Sequence, residues 1–338
     1  MTRLLITTQA LDKNDPVLGF FHAWVAALAP RFEGVEVICL REGNHTLSEN
    51  VRVHSLGKEE GEKSRLGYAL RFLRLAWQLR HDYDAVFVHM NQEYVLLAGW
   101  LWNLLGKRIY MWRNHYQGSW LTDLAAALCT KVFCTSKHSY TANYAKTVIM
   151  PVGVDMERFH TDPCTERKPN SILFLARMAP SKRPEMLLEA LGLLKGKGTD
   201  FTAMFCGSPL PRDEAYYEGL RAKAEDLGIG NRVAWMPARA NDETPDLYRA
   251  HELFVNCSPS GMFDKTIFEA AACGCRVLAA SDDWKAGVGE RYWFDTAPGL
   301  AEKIEACFAA PEADTAELRF AERSGLSVLA DRLAKELY

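Results

Sequence analysis

Short β-branched or aliphatic runs alternate with longer stretches of helical periodicity from one end of this chain to the other, and no other feature restricts the fold so much. Strand-like runs fall at 3–7, 35–40, 51–55, 85–89, 108–112, 131–135 and 147–150, with helical patterns at 19–31, 65–80, 93–105, 120–129 and 137–145. A second cycle opens at 171–176. Its further strands fall at 201–206, 233–235, 253–256 and 276–280, and its helices at 184–194, 213–227, 242–250 and 265–273. Such alternation sets parallel strands side by side with helices covering both faces. The expected class is α/β, with two doubly wound domains facing each other across a cleft.

A length of 338 residues suits two domains of roughly 150 residues each. The polar segment 160–170 reads as the linker, giving an N-terminal domain at 1–160 and a second at 161–317. A charged helix at about 318–338 is expected to pack back on the first domain. Apolar residues make up 48% and charged residues 25%, the balance of a soluble globular chain. A net charge of −3 leaves no electrostatic case for nucleic acid as a partner. The nine cysteines lie without a Cys-x-x-Cys pair, which points to reduced thiols, a cytoplasmic location and no metal site. Asp82-Tyr-Asp84 invites a metal reading but precedes a strand at its amino end, away from where ligands collect.

The chain opens directly on a strand pattern with no apolar leader. Its most apolar window, 95–105, falls short of the ~20 residues that span a bilayer. The helix 65–80 carries Arg65, Arg71, Arg74 and Arg80 beside Leu66, Tyr68, Phe72, Leu73 and Trp77. That surface suits peripheral contact with anionic lipid at the inner membrane face, and its aromatics suit a core face equally well.

The chemistry concentrates in the second half. Residues 258–281 read as a polar loop, a helix opening near Lys265 and carrying Glu269, then a glycine turn into a strand. A carboxylate on the first turns of such a helix suits ribose hydroxyls, while the free N–H groups at its start, around Lys265 and Thr266, suit phosphates. Arg177 and Lys182 follow the strand 171–176 on one loop, so both project where ligands sit in parallel sheets. Two fixed cations stabilise the charge of a departing diphosphate. Ahead of the linker, Pro151-Val-Gly153-Val-Asp155 leads to Phe159: Gly153 permits a tight bend, Asp155 caps the turn, and Phe159 packs down.

Together the Pro-x-Gly-Val-Asp-x-x-x-Phe segment, the Arg-x4-Lys loop and the Glu-Ala-x-Ala-x-Gly helix resemble the retaining nucleotide-sugar glycosyltransferases of family 4, in that family's order and spacing. The resemblance is specific over 148–281 and looser before it. It implies the GT-B fold, a nucleotide-sugar donor, no metal and no further cofactor. Arg177 and Lys182 match the pair that holds the donor diphosphate, Glu269 the acid on the ribose, and Pro237-Ala238 the backbone that meets the base. His115, after the strand 108–112, lies where the family places a histidine near the donor sugar, and Arg113 is a weaker second candidate. Gly19 matches the first of two glycines expected at the first helix, with Phe20 in place of the second. Asn14 and Asp15 of the same loop are candidates for acceptor contact, and His89 also ends a strand.

One departure stands out. The first of the family's two glutamates falls on Gly261, while Asp264-Lys265 occupies the loop behind it. Asp264 either replaces the lost carboxylate or caps the helix; Lys265 is placed to read a phosphate or an acidic sugar. The leading expectation is a retaining transferase moving a hexose-type sugar from a UDP or GDP donor to a hydroxyl of a surface glycan or its polyprenyl-linked precursor. A nucleotide-sugar-binding protein without turnover and a nucleotide-sugar epimerase stay open.

Overall fold

The computed structural model describes residues 2–15, 17–61, 64–261, 264–310 and 315–338. The chain forms two compact units, Met1–Gly153 with Leu326–Tyr338, and Val154–Gly325.

In the first unit, β1 (Leu4–Leu11), β2 (Val35–Glu42), β3 (Val51–Ser55), β4 (Ala85–His89), β5 (Arg108–Trp112), β6 (Lys131–Cys134) and β7 (Thr147–Ile149) form one parallel sheet. Its order is β3-β2-β1-β4-β5-β6-β7. The helices are α1 (Gly19–Leu28), α2 (Arg65–Gln78), α3 (Gln92–Leu104) and α4 (Trp120–Leu128). Side chains alternate across a strand, so each strand feeds two cores. Leu4 and Ile6 of β1 join Phe21 and Trp24 of α1 and Leu329, Leu333 and Leu337 of the C-terminal helix Leu326–Leu337. Leu5 joins Phe72 of α2, Trp102 of α3 and Ala125 of α4. Burial on both faces is why these strands read as continuous apolar runs.

In the second unit, β8 (Lys168–Leu175), β9 (Thr202–Cys206), β10 (Val233–Met236), β11 (His251–Asn256) and β12 (Arg276–Ala279) form a parallel sheet of order β10-β9-β8-β11-β12. Its helices are α5 (Pro184–Gly196), α6 (Glu214–Asp226), α7 (Thr244–Ala250), α8 (Lys265–Ala272), α9 (Asp282–Val288), α10 (Ala297–Ala309) and α11 (Thr315–Arg323). From β8 the chain moves outward through β9 to β10, then returns to the other side of β8 at β11. The order reverses there, and sheets wound in this way have their ligand crevice at such a point, here outside the carboxyl ends of β8 and β11.

Three sequence readings need correction. The stretch 137–145 is a 3-10 turn, Tyr140–Asn143, because its short polar side chains bind backbone instead of leaving it to a helix. Ser136 Oγ accepts from the His138 N–H at 3.0 Å, and Thr141 Oγ1 donates to Arg113 O at 2.8 Å. The first unit ends at Gly153, not 160. The Val154 N–H donates to Ser324 O at 3.1 Å, and Phe159 packs on Tyr248 of α7, so 154–159 folds with the second unit. The C-terminal stretch is two helices: α11 packs on α8 in the second unit, and only Leu326–Leu337 joins the first. Helices α9 and α10 carry no reading from sequence.

Candidate functional site

The crevice of the second unit is built by the loops after β8 and β11. After β8, a 3-10 turn at Pro180–Lys182 ends on Arg183, which takes the left-handed conformation at φ 52° and ψ 43°. A non-glycine residue there carries strain of about 1–2 kcal/mol, and Pro184 then opens α5. Lys182 stands at this bend. Its ammonium meets both oxygens of Asp264, at 2.7 and 2.6 Å, with the two side chains 15% and 17% exposed.

Asp264 occupies the N-cap position of α8, yet its side chain makes no capping bond. The carboxylate is committed elsewhere: Ser258 Oγ donates to Oδ2 at 2.5 Å and Asn256 Nδ2 at 3.1 Å. Burial raises its pKa, but the Lys182 charge and these hydrogen bonds outweigh it and hold the carboxyl below its ordinary value. Asn256 and Ser258, at the end of β11, were missed by sequence reasoning, although a polar residue closing an apolar strand is a usable signal. Thr266 Oγ1 lies 3.5 Å from Asn256 Nδ2. Arg177, on the β8 loop, is exposed and, among the described residues, has no hydrogen-bond or ion-pair partner.

Glu269 sits one turn further into α8 and is 4% exposed. Tyr248 Oη donates to it at 3.2 Å and Asn241 Nδ2 at 3.4 Å. Burial raises its pKa, countered in part by the Lys265 charge and the two donors. Asn241 in turn accepts from Arg158 at 3.0 Å, on the turn that Asp155 caps by accepting from the Glu157 and Arg158 N–H groups. Burial lowers the pKa of Lys265 to about 8, against the pull of Glu269 and Asp155. Tyr248, Asn241 and Arg158 are spread over separate segments, so no local pattern announced them. At the end of α8, Gly274 with φ 74° turns the chain into β12.

Pro237 and Ala238 follow β10 at the edge of the sheet and are exposed, the Ala238 N–H donating to Ser208 Oγ at 3.0 Å. Between them and β8 lies Gly207, where a Cβ would stand 1.9 Å from Ala176 O. Only glycine lets the β8 and β9 ends approach so closely. A concavity of about 380 Å³ lies at the other end of this sheet, beside Lys168, Thr202, Arg232 and His251, where the strands begin.

In the first unit, Gly19 opens α1 under the Lys13 backbone, with a Cβ there only 2.8 Å from Lys13 O. The close approach is to this chain's own loop. Asp15 accepts from the Val17 and Leu18 N–H groups at 2.8 and 2.7 Å, just ahead of the helix, and pairs with Arg41, so its carboxylate is committed within this chain. His115 belongs to a concavity of about 360 Å³ after β4 and β5, lined also by Met90, Asn91, Arg113, Asn114 and Gln117. The Gln117 N–H donates to His115 Nδ1 at 2.9 Å, while Arg113 donates to Gln117 O at 2.9 Å. His115 Nδ1 also lies 3.3 Å from Gln117 O, so the Gln117 backbone holds this face of the ring. His89 is buried at 2%, stacked on Phe21 with ring centres 3.8 Å apart, and serves the core. Asp84 accepts from the Arg3 N–H at 2.9 Å and Asp82 faces Arg52 at 3.8 Å, so the two carboxylates have separate partners. Among the described residues, no group of three His, Cys, Asp or Glu is arranged to hold a metal ion.

Residues 155–284 match the family described as glycosyl transferases group 1, and that segment contains Arg177, Lys182, Asp264 and Glu269. A D-inositol 3-phosphate glycosyltransferase of Salinispora tropica is 33% identical over 114 residues, covering 32% of this chain and 24% of that protein. One from Mycobacterium sp. (strain JLS) is 29% identical over 150 residues, covering 42% and 33%. The chain thus spans a quarter to a third of these curated relatives' length. Among solved structures, Anabaena Alr3699/HepE in complex with UDP matches with a TM-score of 0.76 at 18% identity, over 99% of each chain. The sucrose-phosphate synthase from Thermosynechococcus elongatus gives a TM-score of 0.76 at 16% identity, over 99% and 98%. These likenesses establish the fold: two Rossmann-like units of the GT-B type.

Proposed function

With residues 155–284 belonging to the glycosyl transferases group 1, we propose that this chain is a retaining glycosyltransferase. In this reading it moves a sugar from a UDP- or GDP-sugar to an acceptor hydroxyl of a cell-surface glycan or its lipid-linked precursor. One observation carries the reading. Lys182 and a carboxylate-bearing helix start converge at the strand-order reversal of the second unit, on loops that also hold the exposed Arg177. Parallel sheets bind ligands at such a point, and cations there stabilise a departing diphosphate. The structure of Alr3699/HepE with UDP-glucose favours UDP over GDP as the donor base.

In the reaction we infer, the bond from sugar to diphosphate loosens first. Arg177, Lys182 and the start of α8, with Lys265 and Thr266, take up the charge that develops, and Glu269 holds the ribose after exchanging its contacts with Asn241 and Tyr248. A diphosphate oxygen then accepts the acceptor's proton on the same face of the sugar, so the anomeric configuration is kept. Fixed side-chain cations supply the charge without a metal, so turnover should survive EDTA. Pro237 and Ala238 offer backbone to the base, His115 contacts the sugar or its phosphate, and Asn14 contacts the acceptor. The decisive assay is release of free UDP or GDP that depends on an added acceptor, with NMR of the product's anomeric coupling. Inversion would overturn the retaining mechanism, and release without any acceptor would overturn transfer. A second reading, donor binding without turnover, draws on Gly261 standing where the family has its first glutamate. Tight binding with no release under any acceptor would favour it.

Peripheral membrane contact at the cytoplasmic face belongs to the same proposal. α2 leaves Leu66, Leu70 and Trp77 exposed, with the Arg80 guanidinium 4.3 Å over the Trp77 ring. Neighbouring α3 exposes Trp100 and Leu104, and α4 exposes Trp120 and Leu124. Apolar side chains beside arginines suit an anionic bilayer surface. No helix among the described residues is long and apolar enough to cross one.

A further inference from the structure

The carboxylate of Asp264 stands where an incoming diphosphate would look for its cation. Both of its oxygens are taken by Lys182, and Oδ2 is also held by Ser258 and Asn256. These anchors come from the end of β11, so the carboxylate is fixed by its own side of the crevice while the lysine reaches it from the loop after β8. An N-cap aspartate ordinarily turns back to its helix; this one does not. The ammonium is therefore neutralised in a half-desolvated pocket, where a charge pair is screened less than at an open surface.

Resting on the donor-site reading above, we propose that Asp264 is an internal counter-anion that holds Lys182 in position and must yield it to the donor diphosphate. Each binding event then exchanges one anion for another on the same ammonium. The exchange lowers the affinity for the nucleoside diphosphate product, which has lost the sugar's contacts, and so speeds its release. Asp264 acts through Lys182 and is a positioning residue in this account, with no contact to the sugar. The lost glutamate at Gly261 is then not replaced from this position.

The test is a double-mutant cycle read by calorimetric titration of UDP and GDP into the folded, full-length protein. Asp264→Asn keeps the side-chain shape, removes the charge, and should tighten nucleoside diphosphate binding by roughly tenfold, with slower release. In a Lys182→Met background the same substitution should change affinity less than twofold, because the group it acts through is gone. Circular dichroism and melting curves establish that each variant is folded, and Asp264→Glu, which keeps the charge, should restore most of the wild-type affinity. Unchanged or weaker binding in folded Asp264→Asn overturns the inference, as does equal tightening with and without Lys182. Loss of sugar transfer at unchanged UDP affinity would assign Asp264 to the sugar instead. If the wild type and every variant bind neither UDP nor GDP, the donor-site reading itself falls, and this inference with it.

Discussion

At the scale of single residues, the second unit separates two cations that look alike in sequence. Lys182 is tied to a carboxylate and half-buried, whereas Arg177 is exposed and, among the described residues, unpaired. Arg177→Ala should therefore alter stability by no more than about 0.5 kcal/mol. It should weaken UDP binding by roughly tenfold, as the loss of one charge-assisted contact would. Melting curves beside titrations separate the two effects. Lys265 offers a pH test. Its folded pKa of about 8 lies below the ordinary 10.5, so between those values the unfolded chain carries the extra proton. Stability should rise with pH across that window, and Lys265→Met should flatten the rise while raising the melting point at pH 7. A slope unchanged in the variant would remove Lys265 as its source.

At the scale of elements, glycine placement decides how closely strand ends approach the crevice. Gly207→Ala would drive a Cβ to 1.9 Å from Ala176 O, which is backbone and cannot swing aside. We expect a loss of about 2–3 kcal/mol and a matching drop in nucleotide affinity, since the β8 loop must shift. Unaltered melting and affinity would mean that the loop gives way freely. Most strands and helices were legible because parallel strands buried on both faces leave runs that cannot be mistaken for surface. The motif loops were legible because Gly153, Asp155 and Pro184 do fixed backbone work. What escaped was set by which way polar side chains turn, near or far in sequence: Ser258 and Asn256 toward Asp264, the Tyr248–Asn241–Arg158 chain behind Glu269, and the polar side chains that convert 137–145 into a turn. The start of α1 was read at Gly19, but the local turn in which Asp15 accepts from Val17 and Leu18, and its pairing with Arg41, were not.

At the scale of the whole molecule, the chain passes from the first unit to the second at Gly153 and returns at Leu326. The returning helix puts Leu329, Leu333 and Leu337 into the same core as Trp24 and Leu28 of α1. Leu333→Ala should cost about 2–5 kcal/mol by cavity formation, read as a lower melting point of the first unit. Nucleotide affinity, which the proposed donor site places in the second unit, should stay within twofold while both units are folded; a parallel loss of binding would mean that the donor site depends on that core.

The claim on which all of this turns is that Lys182, at the strand-order reversal of the second unit, receives the diphosphate of the donor. Titrating UDP and GDP into wild-type and Lys182→Ala protein tests it most directly. The account predicts saturable binding of at least one nucleotide to the wild type and a loss of tenfold or more in the variant, which should still melt cooperatively. Equal affinity in the two proteins would contradict it.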